Sequence, residues 1–246
     1  MSQVISICGV NINDIGIDEL LHRLKTSLAN STGTEIVVTP NIDHLQRLTL
    51  ADNGAFKRAY QRASFTLCDS RVFRIAARLK GKRIINVVPG SDLTERLLNE
   101  HWVKQCKVCF IGPSDRDCEN IRARYTLSHL SHYSPPMGFI ENFCETQKCL
   151  DFIEKSAPSI LFLAVGSPRQ EILASMIKDT SQHSMIVLCI GASLDFLSGK
   201  TSRAPKWIQI LHLEWMHRML SEPMRLAPRY FKNAKWLISF IVGTAN

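Results

Sequence analysis

Three separated groups of polar residues have the types needed to bind an anion and move a proton. Thr39, Asn41 and Asp69 supply a hydroxyl, an amide and a carboxylate just past two apolar runs. A carboxylate so placed can take a proton from an attacking hydroxyl, the general-base role, although an Asp after a strand also serves as a turn or cap residue. Ser167-Pro168-Arg169-Gln170-Glu171 has the composition of a helix start, with Ser167 as cap, Pro168 in the first turn and Gln170 closing a capping box. Free backbone N–H groups and the helix dipole there would hold an anion, and Arg169 would add charge. A capped helix with nothing bound fits the same residues. Asp195 and Arg203 share a loop with Gly199 and Pro205, where a carboxylate either binds a sugar or ribose hydroxyl or pairs with the arginine.

Other patterns carry less chemistry. Asp115-Arg116-Asp117 is a D-x-D triplet, a pattern that holds a divalent ion on a nucleotide-sugar diphosphate in many glycosyltransferases. Here it follows Gly112-Pro113-Ser114 and opens a helix, where acids complement the dipole. G-x-G-x-x-G does not occur, and Gly199-Lys200-Thr201 has Leu194 where the first glycine of a P-loop would stand, so dinucleotide and P-loop chemistry lack support. His44, His212 and His217 have no ligand spacing. The eight cysteines form no regular framework and follow no secretory signal, and read as reduced thiols of a cytosolic protein.

The elements that must position these groups alternate strand with helix. The runs Ile160–Val165 and Met185–Ile190 are apolar without alternation, as suits strands buried on both faces of a parallel sheet. Glu35–Thr39, ended by Pro40, Phe65–Cys68 and Val108–Ile111 read as further strands, and Val4–Ile12 as an opening strand or hairpin. Helical spacing joins Ile17, Leu20, Leu21, Leu24 and Leu28, and residues 45–62 read as helix broken near Asn53-Gly54. Further helices are expected from Ser91, from Ser114-Asp115 and over 146–156, with a loop over 133–139. The fold class is therefore α/β, a mainly parallel, Rossmann-like sheet flanked by helices. Ligands of such sheets bind beyond the carboxyl ends of the strands, where all three polar groups fall.

Charge divides the chain. The formal net charge is +8, and from Lys200 onward eight Lys or Arg face two Glu, so +6 of it lies there. A second basic stretch, Arg71 to Arg83, has six positive charges and no acid. Residues 1–205 are expected to form the α/β core and 206–246 a helical, basic appendage interrupted at Pro223 and Pro228. That tail holds three of the four tryptophans, and Trp, Phe and Leu among Arg and Lys suit an interfacial helix on anionic lipid. Burial between subunits of a homo-oligomer is an alternative fate for it. A nucleic-acid partner is disfavoured, because the basic residues sit among Trp, Leu and Ile without a recognised nucleic-acid fold. No run reaches the roughly 18 apolar residues of a membrane span.

Taken in order, Val38-Thr39-Pro40-Asn41, Asp69, Gly90-Ser91-Asp92-Leu93, Gly166 to Glu171, Gly191 to Phe196 with Gly199, Arg203-Ala204-Pro205 and Glu214-Trp215-Met216-His217-Arg218 form one long pattern. With it the chain resembles the WecG/TagA/CpsF glycosyltransferases (glycosyltransferase family 26) over nearly its whole length. The resemblance implies an inverting transfer, without metal or cofactor, from a UDP-sugar to a sugar on undecaprenyl diphosphate. The enzyme would be cytoplasmic, peripheral on the inner membrane face, and would serve surface or exopolysaccharide synthesis. The donor sugar would be N-acetylmannosamine, its uronic acid, or glucose. Asp69 is implied as the base, with Thr39 beside it and Asn41 lining the sugar pocket. Ser167, Arg169, Gln170 and Glu171 of the first unit and Gly191, Asp195 and Arg203 of the second join the binding set, Gln170 and Asp195 on the nucleotide side. Arg218 and Arg225, followed by Arg229, would neutralise the diphosphate leaving group. The chain departs from the family pattern at Ser70-Arg71, where glycine usually follows the Asp, and at Met224 and Pro228 within a thinner arginine run.

Overall fold

A computed structural model describes residues 3–50, 53–200, 205, 208 and 214–243. The chain opens with a hairpin of β1 (Gln3–Ile7) and β2 (Val10–Asp14), joined at Cys8-Gly9, both with positive φ as a two-residue hairpin turn requires. Helix α1 (Ile17–Ala29) follows, then β3 (Glu35–Val38), α2 (Ile42–Thr49), α3 (Gly54–Gln61), β4 (Phe65–Thr66) and α4 (Arg71–Leu79). Next come α5 (Gly90–Asn99), α6 (His101–Gln105), β5 (Lys107–Ile111), α7 (Asp115–Tyr125), β6 (His129–Tyr133) and α8 (Phe143–Ser156). The chain continues through β7 (Ile160–Leu163), α9 (Arg169–Thr180), β8 (Ile186–Cys189) and α10 (Ser193–Leu197) to α11 (Glu214–Ser221) and α12 (Pro223–Val242).

Strands β3 to β8 make one parallel sheet in the order β4-β3-β8-β7-β5-β6. The apolar runs are double-sided, as expected of strands covered on both faces. Along β7, Leu161 and Leu163 enter one core while Ile160 and Phe162 enter the other, and β8 divides likewise. Helices α2, α3, α4, α8, α9 and α12 cover the first face, and α1, α5, α6, α7 and α10 the second. Truncating a buried Leu in either layer to Ala would cost about 2–5 kcal/mol.

Register sets up the site. Thr66, Val38, Cys189, Leu163, Ile111 and Tyr133 are partners in one row across the sheet. All six strands therefore end flush, and the residues that follow them start at one level. The hairpin guards the β4 end: Asn13 Oδ1 accepts the Thr66 N–H (2.8 Å), satisfying an edge donor. Asp14 accepts the N–H groups of Ile85 (3.0 Å) and Asn86 (2.7 Å) and so pins the segment that leads into α5.

Several expectations are corrected. β6 (HLSHY) is a strand that no apolar run marks, and its last residue, Tyr133, falls within the expected loop; as an edge strand it pairs on one side only and needs no apolar run. The first nine residues of the basic stretch form the amphipathic helix α4, capped by Ser70, whose side chain accepts from Phe73 N–H. Pro228 does not interrupt the tail but lies inside α12. It is exposed near the helix start, so the carbonyl it leaves unpaired, that of exposed Met224, can turn to water. Pro223 does mark a boundary, opening α12 at its first position.

Candidate active site

At the β3 end, Asn41 caps α2 by accepting the His44 N–H (3.2 Å), a contact worth about 1 kcal/mol. Thr39, two residues earlier, is buried, and its hydroxyl donates to the Cys189 carbonyl (3.4 Å) at the end of neighbouring β8. One strand the other way, β4 ends and delivers Asp69, whose Oδ1 accepts the Gly90 N–H (2.9 Å). That N–H opens α5, so the helix dipole favours the carboxylate anion and the bond fixes its plane. The approach is close: a Cβ on Gly90 would stand 2.9 Å from Thr39 Oγ1 and 3.5 Å from Ser193 Oγ. Only glycine lets α5 reach both Asp69 and Thr39. Asp69 is half-buried, so a substrate proton can reach it.

A second carboxylate lies behind this edge. Glu171 and Gln170 are 1% exposed. Gln170 Nε2 donates to Glu171 Oε1 (2.8 Å), and its Oε1 accepts the Gly191 N–H (3.0 Å) at a left-handed turn after β8. Gln170 thus ties the β7 loop to the β8 loop. Burial pushes Glu171 above the ordinary carboxylate range, opposed by the Gln170 amide and the Arg47 guanidinium. Among the described residues, none makes a hydrogen bond of ordinary geometry to its Oε2. His44 Nδ1 lies 3.8 Å from Glu171 and 2.9 Å from Tyr60 Oη. Burial, then Arg47 and Arg229, hold this imidazole well below its usual pKa, so it is neutral here.

Cations rim the same corner. Arg47 pairs with Asp43 (2.7 Å) and donates to Ser167 Oγ (3.1 Å), and Arg229 of α12 reaches Asp43 (3.3 Å). The C-terminal helix therefore brings an arginine to the β3 end of the site. Arg218 lies on α11 and Arg225 on α12, with side chains outside the described residues, and Arg203 lies wholly outside them. Arg169 begins α9 and extends to the Met137 sulfur (3.8 Å), beside the loop after β6. Ser167 is not the α9 cap: that place falls to Pro168, without a side-chain bond, and Ser167 answers Arg47 instead. The capping box is absent for the same reason, since Gln170 is committed to Glu171 and Gly191. Asp195 sits on α10 rather than in a loop and pairs with Lys200 (3.5 Å).

The D-x-D acids have local partners. Asp117 accepts from Ser114 Oγ (2.6 Å) in the α7 cap, and Asp115 pairs with His132 (2.9 Å). β5, the strand that leads into them, is four places from β4, about 19 Å along the sheet edge from the Asp69 loop.

Sequence reasoning singled out Thr39, Asn41, Asp69, Gln170, Glu171 and Gly191, which the flush strand ends bring together with Ser167. It missed Arg47 and Tyr60, held Ser193 only as part of the longer pattern, and gave His44 no ligand role. The available signals were the Asp43–Arg47 spacing of four on one helix face and a histidine inside an apolar helix pattern.

The profile of the Glycosyl transferase WecG/TagA/CpsF family matches residues 5–245. Similar curated proteins include an N-acetylglucosaminyldiphosphoundecaprenol N-acetyl-beta-D-mannosaminyltransferase of Bacillus spizizenii strain W23, 26% identical over 216 residues, 86% of this chain and 81% of that protein. The enzymes of the same name from Staphylococcus aureus strains MRSA252 and MW2 are 26% and 25% identical over 228 residues, 90% of this chain and 86% of theirs.

Proposed function

Because this chain belongs to the WecG/TagA/CpsF family of glycosyltransferases, we propose that it moves a sugar from a UDP-sugar to the sugar of an undecaprenyl-diphosphate carrier in cell-surface polymer synthesis. N-acetylmannosamine is the leading donor sugar and N-acetylglucosamine the leading acceptor sugar, on the strength of the relatives' names. The uronic acid of N-acetylmannosamine and glucose are the alternatives.

The observation that carries the reading is Asp69, oriented by the α5 N-terminus and set beside Thr39 at the strand ends. In the proposed step an acceptor hydroxyl oxygen bonds the anomeric carbon while its proton passes to Asp69. The bond from that carbon to the UDP oxygen breaks, and UDP leaves with the electron pair. Attack opposite the leaving group inverts the centre. Charge develops on the diphosphate, so the arginines, Arg229 with Arg218 and Arg225, supply fixed positive charge, a larger source of rate than the proton transfer. Asp195 and the Gly191 turn face the nucleotide, and Asn41 the sugar. No divalent ion is required in this scheme, and Asp115 and Asp117 serve the α7 cap.

No helix among the described residues is long and apolar enough to cross a membrane. The lipid-linked acceptor is therefore met at a surface, and α12 with its basic residues docks the enzyme there. The test is Asp69→Asn, which keeps an acceptor for the Gly90 N–H. Transfer is expected to fall about 10²–10⁴-fold, the usual contribution of a general base, with UDP affinity and melting temperature near wild type. Transfer retained within threefold would remove Asp69 from the mechanism.

A further inference from the structure

We propose that α4 and the segment after it form a second contact with the anionic bilayer surface, distinct from the C-terminal helix and continuous with it. The proposal rests on the lipid-linked acceptor reading for why a membrane is at hand, but its evidence is separate.

Helix α4 buries Phe73, Ala76 and Ala77. At 100° per residue its opposite face carries Arg71, Ile75, Arg78 and Leu79, and Ile75 and Leu79 are 58% and 66% exposed. Lys82, Arg83 and Ile85 follow, also exposed. Single exposed apolar residues are ordinary on any surface. Here they are interleaved with six cations, and residues 71–91 contain no acid. A solvated helix face normally mixes signs, whereas an interfacial one mixes Arg and Lys with apolar side chains.

Helix α12 repeats the pattern. It packs inward with Leu226, Asn233, Trp236 and Phe240, the last against Phe73 of α4 at 5.9 Å between ring centroids. Its outward stripe is Phe231, Lys235, Ile238 and Val242, all exposed. Residues 223–246 also contain no acid and add four cations. The two stripes meet at their ends: Lys80 Nζ lies 3.2 Å from where a Cβ on Gly243 would stand. Two adjoining helices thus present apolar side chains within segments that hold ten Lys or Arg, six and four, and no acid. That charge complements a headgroup layer of negative lipid. Since α4 starts two residues after Asp69, the contact would hold the site beside the layer that carries the acceptor diphosphate.

The experiment is cosedimentation of the full chain with phosphatidylglycerol vesicles and with phosphatidylcholine vesicles. Two variants leave α12 and the site intact: Ile75→Asp with Leu79→Asp, and Arg78→Gln with Lys82→Gln. Each is expected to lower the partition onto phosphatidylglycerol about tenfold or more. Turnover of a short-chain, water-soluble acceptor should not change. Wild-type partition in both variants would overturn the proposal. So would intact vesicle binding together with loss of a dimer by light scattering, which would make this face a contact between copies. Selective loss of lipid binding in an enzyme that turns over no lipid-diphosphate acceptor would sustain the surface while refuting the transferase reading.

Discussion

The site's two buried-edge carboxylates make the most instructive pair in the molecule. Asp69 stands at the rim, half-buried, with one oxygen held by a helix N-terminus and a hydroxyl nearby. Glu171 lies behind it, almost wholly buried, with one oxygen on a neutral amide and the other without a hydrogen-bond partner among the described residues. The first environment favours the anion and leaves it reachable; the second penalises it. A reachable, oriented carboxylate can exchange protons with substrate. A sequestered one fixes Gln170, and through it the β8 turn, in place. Under the proposed transfer, Asp69 takes the chemical role and Glu171 a positioning one, a division set by environment alone.

Substitutions can break this comparison. The largest effect is expected at the rim, where Asp69→Asn should remove most of the transfer without loosening the fold. Next is the glycine that makes the rim dense. Gly90→Ala places a methyl 2.9 Å from Thr39 Oγ1, and the overpacking should destabilise the chain by about 1–3 kcal/mol. Alanine's better helix propensity, about 1 kcal/mol, works the other way. Denaturant titration measures the balance, and adding Thr39→Ala should recover part of the loss. A more stable Gly90→Ala protein would mean the approach is not close.

The interior pair gives the smallest effects, and they have opposite signs with pH. Glu171 has its folded pKa raised, so its contribution is fully present below the unfolded value of about 4.3 and is lost as pH rises through the folded value. The melting temperature of Glu171→Gln relative to wild type should therefore increase from pH 4 to pH 8. His44 has its folded pKa lowered by burial and by Arg47 and Arg229. It stabilises above its unfolded value of about 6.5, and that stability is lost as pH falls below it. His44→Gln should flatten the acid limb of the wild-type profile. Parallel pH profiles for wild type and both variants would deny the interior environment described here.

The same division explains what could be read from the chain. Runs such as Ile160–Val165 announce buried parallel strands because both faces must be apolar. The edge strand β6 could not announce itself, since His129, Ser131 and His132 satisfy a half-covered position. Residues that act at strand ends were legible as polar clusters after apolar runs. Their mutual contacts were not, because Asp69 with Gly90 and Gln170 with Gly191 are 21 residues apart in each case and depend on flush strand ends. Ser167 shows the limit of local rules. It has the type and place of a cap, yet a guanidinium 120 residues away claims its oxygen. Pro228 shows it again, since packing of α12 onto α2 and α4 overrides a local helix breaker.

The most direct test of the account is release of UDP from a panel of UDP-sugars by the full chain, with a short lipid-diphosphate N-acetylglucosamine acceptor and EDTA present. Acceptor-dependent release with one donor preferred, unaffected by EDTA, is the predicted result. No release in EDTA, with activity restored by manganese and abolished by Asp115→Asn or Asp117→Asn, would contradict it and move the chemistry from the Asp69 rim to the D-x-D acids.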